Sequence, residues 1–479
     1  MTWALAKVRF VQQSWLDAVA VACRTRSSEF SFRSLANISW SFATMLFIDQ
    51  TLLELMSASM TASDTVPQDV VNIAWACARC LFVDEPFFLV LADWALSHVT
   101  EFKLQELATM SWAFAALIVQ HRPMWDAIAK ESARQIETQS DSADVPFVDI
   151  ETLVAALSQA TAPTSGATTP DTEQDRLRSV AGAVVARRAK SLDAMAPTAT
   201  DVPLCPANGP LPDEPCVLQQ QRRVCVLWKP PGWSISVDRN DFAPRATAED
   251  EHFLKTKTNS LKSLEMHEWL QSNFGESHPI ASDSHVSHGL VHRLDRMTSG
   301  ALLWASRYSG YYDARLLFAS RNGLRKEYCF VCHGALKRNP HSINIPLKDV
   351  EAGGDVMNRR RSVADVRGRP SVTLVEAVAH IMTPDGRTAS LTMVQLITGR
   401  QHQIRAHMSE TGHPLIGDMV YGGDTTSWCP RIFLHSSQLA VDIGDGVLVV
   451  NVPMPPDLET ALFTLMALDG PSRAALRSR

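Results

Sequence analysis

The sequence lacks several features that would place it in a specialised class. Its 479 residues contain no uninterrupted apolar run of about 18, so it predicts no membrane-spanning helix. The nine cysteines are odd in number and follow no regular framework, which indicates a reducing intracellular compartment rather than a disulfide-stabilised secreted fold. A strong excess of positive charge is also missing, because the formal net charge is −6. That total disfavours a nucleic-acid partner only if the charge is evenly distributed.

The charge is in fact divided along the chain. Residues 1–221 hold 15 Lys and Arg against 25 Asp and Glu, a balance of −10. Residues 222–435 hold 27 against 21, or +6, and residues 436–479 hold 3 against 5, or −2. The last part of the acidic range, residues 161–221, is rich in Ala, Pro, Thr and Ser. This composition predicts a flexible linker, with room for a short helix, between the first 160 residues and the basic region. A basic region therefore lies inside an acidic chain.

The first 160 residues repeat a pattern of about 36 residues. The pattern is marked by Trp3, Trp40, Trp75 and Trp112. Pro86 and Pro123 each follow a tryptophan by 11 residues, a position suited to the first turn of a second helix. Asp49 and Asp84 stand where helix N-caps are expected. The pattern predicts an all-α solenoid of helix pairs over residues 1–160, with the tryptophans either packed in its core or stacking on bases.

This region resembles the octotricopeptide-type repeats of organellar RNA-binding proteins. Helix pairs of this length also build protein-binding arrays, and the balance of −10 makes a protein partner a serious alternative to RNA. The chain begins partway through a repeat, which suggests a shortened or incomplete N-terminus. The resemblance leaves the compartment open, with a mitochondrion or a plastid among the options.

Two cysteine pairs and a group of histidines have residue types and spacings that call for comparison with metal sites. Cys77 and Cys80 lie in a repeat helix with no second pair at zinc-finger distance. Cys329 and Cys332 lie in an alternating run that predicts a strand, where residues three apart face opposite sides. The histidines of residues 278–292 fit no ligand spacing. The sequence therefore predicts no metal site.

Two polar segments stand out as candidates for chemistry. Residues 289–306, GLVHRLDRMTSGALLWAS, place Asp295 between two arginines immediately before an apolar strand. Nearby positive charge lowers the pKa of a carboxyl group, so this aspartate should be ionised, although a surface salt bridge would look the same. Residues 396–418, LITGRQHQIRAHMSETGHPLIGD, contain a short predicted helix from which Arg405 points to one side.

These segments resemble the RluA-type pseudouridine synthase family. Five motifs occur in the family's order over about 245 residues: VLWKPPGWSISV at 226–237, HRLDRMTSG at 292–300, RKEYCFVCHG at 325–334, TGRQHQIRAH at 398–407 followed by GHPLIGDMVYG, and RIFLHSSQL at 431–439. Met297 replaces a residue that is often acidic in the family, and Ser436 stands where alanine is usual. The resemblance implies an α+β synthase domain with a mixed central β-sheet over residues 222–468.

The resemblance also implies a reaction, the conversion of uridine in rRNA or tRNA to pseudouridine without a metal or cofactor. Asp295 would be the catalytic carboxylate, as nucleophile or as base. Arg405 would pair with it, Tyr328 would stack on the uracil with assistance to loss of the C5 proton as a second role, and Arg293 would enter the space left by a flipped base. The expected contacts to substrate or RNA are Arg293, His292, Arg296, Thr298, Arg400, His402, Lys229 and Arg431. For Lys229 and Arg431, a salt bridge that pins a strand is an equal alternative. A second hypothesis for the whole chain is an RNA-binding protein that has kept the synthase fold without turnover, and the presence of Asp295, Tyr328 and Arg405 stands against it.

Overall fold

The structure is a computed structural model that describes most of the chain. The described residues are 2–7, 12–26, 29–45, 47, 65–80, 82, 84–139, 145–160, 172–194, 202–205, 211–235, 264–320, 323–351, 360–366 and 368–477. The chain divides into an N-terminal unit, residues 1–188, and a C-terminal unit, residues 189–479. No helix among the described residues is long and apolar enough to cross a membrane.

The N-terminal unit is built from α-helices that follow the repeated sequence pattern. Its described helices are α1 (Thr2–Lys7), α2 (Gln13–Thr25), α3 (Phe32–Thr44), α4 (Pro67–Cys80), α5 (Glu85–Ser97), α6 (Leu104–Ala116), α7 (Arg122–Thr138), α8 (Phe147–Ala160) and α9 (Thr172–Ala194), the last of which continues into the C-terminal unit. The side chain of Asp84 caps α5 by accepting a hydrogen bond from the Phe87 amide at 3.1 Å. Pro86 and Pro123 lie in the first turns of α5 and α7, which confirms the predicted helix starts. Asp49 lies outside the described residues.

The first helices of successive pairs pack against each other. Helix α3 contacts α1 and α4, α6 contacts α4 and α8, and the second helices α5 and α7 contact one another. The rings of Trp40 and Trp75 lie 6.1 Å apart, and both, like Trp112, are only half-buried. These three tryptophans are therefore neither fully packed in the core nor fully exposed for base stacking, and the side chain of Trp3 lies outside the described part of the structure. That the pairs are octotricopeptide-type repeats stays a prediction.

Ordered elements occur inside the predicted linker of residues 161–221. Helix α9 is 23 residues long, and it buries Leu177, Ala181, Val185 and Ala189 at four-residue spacing. A strand, Cys216–Gln220, joins the sheet of the C-terminal unit. The sheet therefore begins before the predicted domain boundary at 222.

The C-terminal unit contains a mixed β-sheet. Its described strands are β1 (Cys216–Gln220), β2 (Val224–Lys229), β3 (Trp233–Ser234), β4 (Leu264–Glu265), β5 (Ser299–Ala305), β6 (Leu324–His333), β7 (His341–Asn344), β8 (Leu347–Glu351), β9 (Arg360–Ala364), β10 (Val372–Met382), β11 (Thr388–Leu396), β12 (Leu434–Asp442), β13 (Val447–Asn451) and β14 (Met466–Ala467). Ten of them form one sheet in the order β1-β2-β5-β12-β6-β11-β10-β14, with β13 on β12 and β7 on β10. The pair β5–β12 is parallel and the other pairs of this sheet are antiparallel, which agrees with the predicted α+β class.

Short helices of the C-terminal unit lie between the strands. The described ones are α10 (Met266–Phe274), α11 (Tyr308–Ser320), α12 (Gln403–Glu410), α13 (Pro456–Phe463) and α14 (Gly470–Arg477). Strands β2 and β5 are buried along their whole length, because each is an almost continuous apolar run in the middle of the sheet. Leu458 and Ala461 of α13 pack into a core with Val331 of β6 and Leu391 of β11. This core supports the strands whose ends carry the polar motifs.

Candidate active site

A buried lysine fixes the segment that carries Asp295. Lys229, at the end of β2, is fully buried, and its Nζ donates to the carbonyls of Pro230, Arg296 and Thr298 at 3.1, 2.9 and 2.7 Å. The amide of Thr298 donates to the Asp295 carbonyl at 3.0 Å, which closes a turn immediately before β5. Asp295 therefore lies in a turn at the N-terminal end of β5 that the Lys229 side chain and a backbone hydrogen bond hold in place.

Two neighbouring strands bring Tyr328 close to this turn. Gly300 of β5 and Tyr328 of β6 both pair with Ser436 of β12. Tyr328 is 6% exposed, and the Ser436 side chain is near enough to its phenol to lower the phenol's pKa. Asp295 is near enough to affect the Tyr328 pKa. Residues separated by more than 100 positions thus meet through strand pairing.

Arg405 projects from α12 and contacts two carboxylates. Its Nη1 lies 3.4 Å from Asp295 Oδ2. Its Nε and Nη2 donate to the two oxygens of Asp418, both at 2.8 Å. The guanidinium carbon lies 5.0 Å from the ring centre of Tyr421, a distance at which cation and ring attract each other. The expected pair of Arg405 and Asp295 is present, and its geometry is looser than that of the pair with Asp418.

His402 is the second basic side chain beside Asp295. Its Nε2 lies 3.8 Å from Asp295 Oδ1, and its Nδ1 lies 3.1 Å from the Tyr421 hydroxyl. The residue precedes α12 in a left-handed conformation, with φ of 50°, which is uncommon for a residue that is not glycine. Backbone strain of this kind often accompanies functional sites.

The surroundings keep Asp295 ionised. Burial disfavours the carboxylate, but His402, which is charged in acid where Asp295 itself titrates, together with Arg405 and Arg293 outweighs burial and holds the pKa of Asp295 below its ordinary value. Burial lowers the pKa of His402 to about 4, so its imidazole is neutral at neutral pH. The two arginines therefore supply the charge that stabilises Asp295 under those conditions. Asp418 raises the pKa of Arg405 against the effect of burial, so the guanidinium stays charged.

Tyr328 is held in its neutral form. Burial raises the pKa of its phenol; the Ser436 side chain opposes this increase, and the charge of Asp295 adds to it. The side chain therefore offers a flat ring and a hydroxyl rather than a phenolate. Such a group suits stacking against a base better than removal of a proton.

Two residues expected to contact RNA are buried structural groups instead. The three carbonyls bound by Lys229 leave its ammonium group inside the protein. The guanidinium of Arg431 is also buried, and it binds Asp457 at 2.7 and 3.3 Å and the Ser299 hydroxyl at 3.0 Å. The phosphate contacts expected for these two side chains are therefore wrong, and the strand-pinning alternative describes Arg431 well. A buried cation needs such partners because its desolvation is costly.

His292 and Arg296 also serve the fold. The Leu303 amide donates to His292 Nε2 at 2.9 Å, and the imidazole stacks on Phe318. Burial lowers the pKa of His292 to about 3, and the positive charge of Lys326 acts in the same direction. Arg296 Nε donates to the carbonyl of Gly232 at 3.1 Å, which links the Asp295 segment to the turn after β2.

The remaining predicted contacts differ in their burial. Thr298 is buried, and its hydroxyl oxygen has no hydrogen-bond partner. Arg400 is half-buried, and its Nε donates to the Pro370 carbonyl at 3.3 Å. Arg293 is half-buried and lies near enough to Asp295 to lower its pKa. RNA contacts by these residues stay predictions.

Asp418 and Tyr421 are site residues that the sequence motifs did not predict. Both belong to the segment GHPLIGDMVYG, which was assigned to the family motif without a role for its side chains. Asp418 is fully buried at its side chain, and Tyr421 is held by Ser362, whose amide donates to the phenol oxygen and whose carbonyl accepts from it. The signal was an acidic residue in an otherwise apolar segment 13 positions after Arg405.

Comparison with known proteins agrees with this arrangement. The family described as RNA pseudouridylate synthase matches residues 224–410. The chain is 31% identical to the uncharacterized RNA pseudouridine synthase YjbO of Bacillus subtilis, over 44% of this chain and 72% of YjbO. It is also 31% identical to the dual-specificity RNA pseudouridine synthase RluA of Vibrio parahaemolyticus, over 40% of this chain and 75% of that protein.

A further relative matches over less of its length. The chain is 32% identical to the uncharacterized RNA pseudouridine synthase YhcT of Bacillus subtilis, over 36% of this chain. That match spans little more than half of YhcT, 55%. The family match over residues 224–410 contains the turn of Asp295, the strand of Tyr328 and the helix of Arg405. The chain belongs to the RNA pseudouridine synthase family, and its catalytic domain is of the RluA type.

Proposed function

We propose that this protein converts specific uridines in RNA to pseudouridine and that Asp295 is its catalytic carboxylate. The observation that carries the proposal is the pairing of Asp295 with Arg405 at 3.4 Å, in a setting that lowers the pKa of the carboxyl group. Membership of the family implies an RNA substrate.

The reaction needs an ionised carboxylate, and it leaves the atomic composition of the nucleotide unchanged. The N1–C1′ bond of uridine breaks, the uracil turns, and a C5–C1′ bond forms. C5 loses a proton and N1 gains one, so the product is an isomer of the substrate. Asp295 serves either by attacking C1′ or by removing the proton at C2′, since both routes use a desolvated carboxylate.

Neighbouring residues complete the site. Arg405 keeps Asp295 charged, and the neutral ring of Tyr328 stacks on the uracil as it turns. The uridine must leave its base stack to reach Asp295, and Arg293 fills the space that it leaves. Arg400 and His402 contribute contacts to the flipped nucleotide or its flanking backbone.

The relatives favour ribosomal RNA as the target. The ribosomal large subunit pseudouridine synthase D of Nitrosomonas europaea is 31% identical to this chain over 191 residues. Its name assigns it to the large ribosomal subunit, and we extend that substrate class to the present protein. Transfer RNA is the alternative target. The helices of the N-terminal unit select the target by binding RNA or a protein partner.

The decisive experiment maps pseudouridine in RNA treated with the full-length protein. We expect new pseudouridines with the wild type and none with Asp295→Asn, while RNA affinity changes little because this substitution preserves the side chain's shape. Asp385→Asn is the matched control, since Asp385 is an exposed aspartate in the hairpin between β10 and β11. Full activity of Asp295→Asn would refute the role of this residue. RNA binding without pseudouridine in the wild type would instead identify an RNA-binding protein that has lost turnover.

A further inference from the structure

Asp418 holds the face of Arg405 that is turned away from Asp295. Its carboxylate accepts one hydrogen bond from Nε and one from Nη2 of Arg405, each at 2.8 Å. The side chain of Asp418 is completely buried. The bond from Arg405 to Asp295 is single and longer, at 3.4 Å. Arg405 is thus anchored by Asp418 and only touches Asp295.

The backbone around Asp418 is fixed as firmly as its side chain. Its carbonyl accepts hydrogen bonds from the Gly423 amide at 2.7 Å and the Tyr421 amide at 3.2 Å. At Gly423 a side chain would not fit, because a Cβ there would lie 2.1 Å from the Leu415 carbonyl oxygen. The carboxylate therefore occupies one position, and the direction of the Arg405 guanidinium follows from it.

A guanidinium group offers its N–H donors in a rigid plane. Two parallel hydrogen bonds to one carboxylate are its strongest arrangement. Asp418 already occupies one such edge, and the Tyr421 ring lies against the group at 5.0 Å. What faces Asp295 is the remaining Nη1. Without Asp418, the freed edge could bind both oxygens of Asp295 and occupy the atoms that must meet the substrate.

We propose that Asp418 is a positioning residue that turns Arg405 so that a single N–H group contacts Asp295. Asp295 thereby gains a stabilising cation and keeps lone pairs free for the nucleotide. This proposal rests on the proposed function, in which Asp295 acts on uridine. Asp418 acts through Arg405 and does not itself touch the substrate.

The first test is Asp418→Asn in the full-length protein. This variant keeps the shape of the side chain but replaces one acceptor with a donor, so one of the two bonds to Arg405 is lost. We expect kcat to fall by about 100-fold, the effect of misplacing a catalytic group by roughly 1 Å, with the Kd for RNA unchanged. Asp457→Asn is the matched control, because Asp457 also binds a buried arginine, Arg431, through two bonds.

A double-variant cycle separates positioning from simple structural support. If Asp418 acts through Arg405, adding Asp418→Asn to Arg405→Gln lowers kcat no further than Arg405→Gln alone. The double variant should also be more stable than Arg405→Gln, which leaves the carboxylate of Asp418 buried without its cation. Adding Asp457→Asn to Arg405→Gln should instead multiply the separate losses. Multiplied losses for Asp418→Asn and Arg405→Gln would overturn the proposal.

A crystal structure of the Asp418→Asn protein gives a readout that does not need turnover. We expect the Arg405 guanidinium to rotate toward Asp295 and to contact both of its oxygens. An unmoved guanidinium would overturn the positioning role even if activity were lost. If the wild type formed no pseudouridine while Arg405 rotated as expected, the proposed function would fail and the positioning relationship would stand.

Discussion

Gly300 and Ser436 approach each other so closely across the parallel strands β5 and β12 that no side chain fits at position 300. A Cβ on Gly300 would lie 2.2 Å from the Ser436 carbonyl oxygen and 2.7 Å from the Ser436 Cβ. Gly300 also has φ of +129°, a conformation that side chains rarely adopt. This contact sets the spacing between the turn of Asp295 and the strand that faces Tyr328.

We therefore expect Gly300→Ala to lower the free energy of unfolding by about 3 kcal/mol or more, through overpacking and backbone strain together. Urea unfolding of the C-terminal unit within the full-length protein measures this loss. Gly386→Ala is the matched control, because Gly386 has φ of +77° but no atom within 4 Å of an added Cβ. Its cost should be limited to the conformational part, about 1–2 kcal/mol. Equal losses in the two variants would show that the contact with Ser436 contributes nothing.

Lys229→Met tests whether this cation supports the fold or binds phosphate. The substitution leaves three carbonyl groups around the Asp295 turn without their donor, so we expect lower stability and lower kcat. The dependence of the RNA Kd on salt should keep its slope, since Lys229 is fully buried. Removal of a phosphate contact would reduce that slope by about one unit. A reduced slope in Lys229→Met would restore the RNA contact that the structure contradicts.

The sequence predicted which residues form the site better than it predicted which groups each of them contacts. Asp295, Tyr328 and Arg405 each lie in a motif whose local pattern can be recognised. Strand pairing brings Tyr328 close to the turn of Asp295, and Arg405 reaches Asp295 from α12. The sequence marks Asp418 as an unusual acidic residue, but it does not show whether Arg405 binds Asp418 or Asp295 more tightly, because that choice depends on the path of residues 411–418. Lys229 shows the same limit. A lysine at the end of a strand looks like a surface cation until the carbonyl groups of another segment surround it.

The division of the chain was predicted unevenly for a related reason. The average composition of residues 161–221 predicts that they form no core. Helix α9 is not visible in that average, because only a narrow stripe of its surface is apolar. Its apolar residues recur every four positions among charged ones. Strand β1 was missed because it is short and half polar, and its place in the sheet depends on pairing with β2.

Buried neutral histidines should make the C-terminal unit sensitive to acid. Burial lowers the pKa of His292 to about 3 and those of His402 and His435 to about 4, all below the ordinary value of 6.5. Between pH 6.5 and 4 the unfolded chain binds these protons and the folded chain does not, so stability falls as the pH falls. Each histidine contributes a slope of about 1.4 kcal/mol per pH unit.

Urea unfolding at pH 7, 6 and 5 measures this slope. His292→Gln should reduce it by one proton, because glutamine can accept the Leu303 amide through its oxygen but does not titrate. His285→Gln is the matched control, since His285 is exposed, with 77% of its side chain accessible. The expectation fails if His292→Gln and His285→Gln change the slope equally.

Arg405→Gln should shift the pH dependence of catalysis. In the wild type the pKa of Asp295 is lowered, so kcat should stay constant as the pH falls to about 5 and decline only as the pH drops through that lowered pKa. Removing Arg405 leaves the burial that disfavours the carboxylate and takes away a cation that offsets it. The acid limb of kcat should therefore move to higher pH, beyond the general loss of rate. Single-turnover pseudouridine formation between pH 4.5 and 8 measures the limb.

Arg387→Gln provides the comparison, because Arg387 forms ion pairs with Asp385 and Asp424 on the surface and should leave the profile unchanged. A limb that stays in place in Arg405→Gln would mean that His402 and Arg293 are sufficient to hold down the pKa of Asp295, and the contribution of Arg405 to rate would then be geometric.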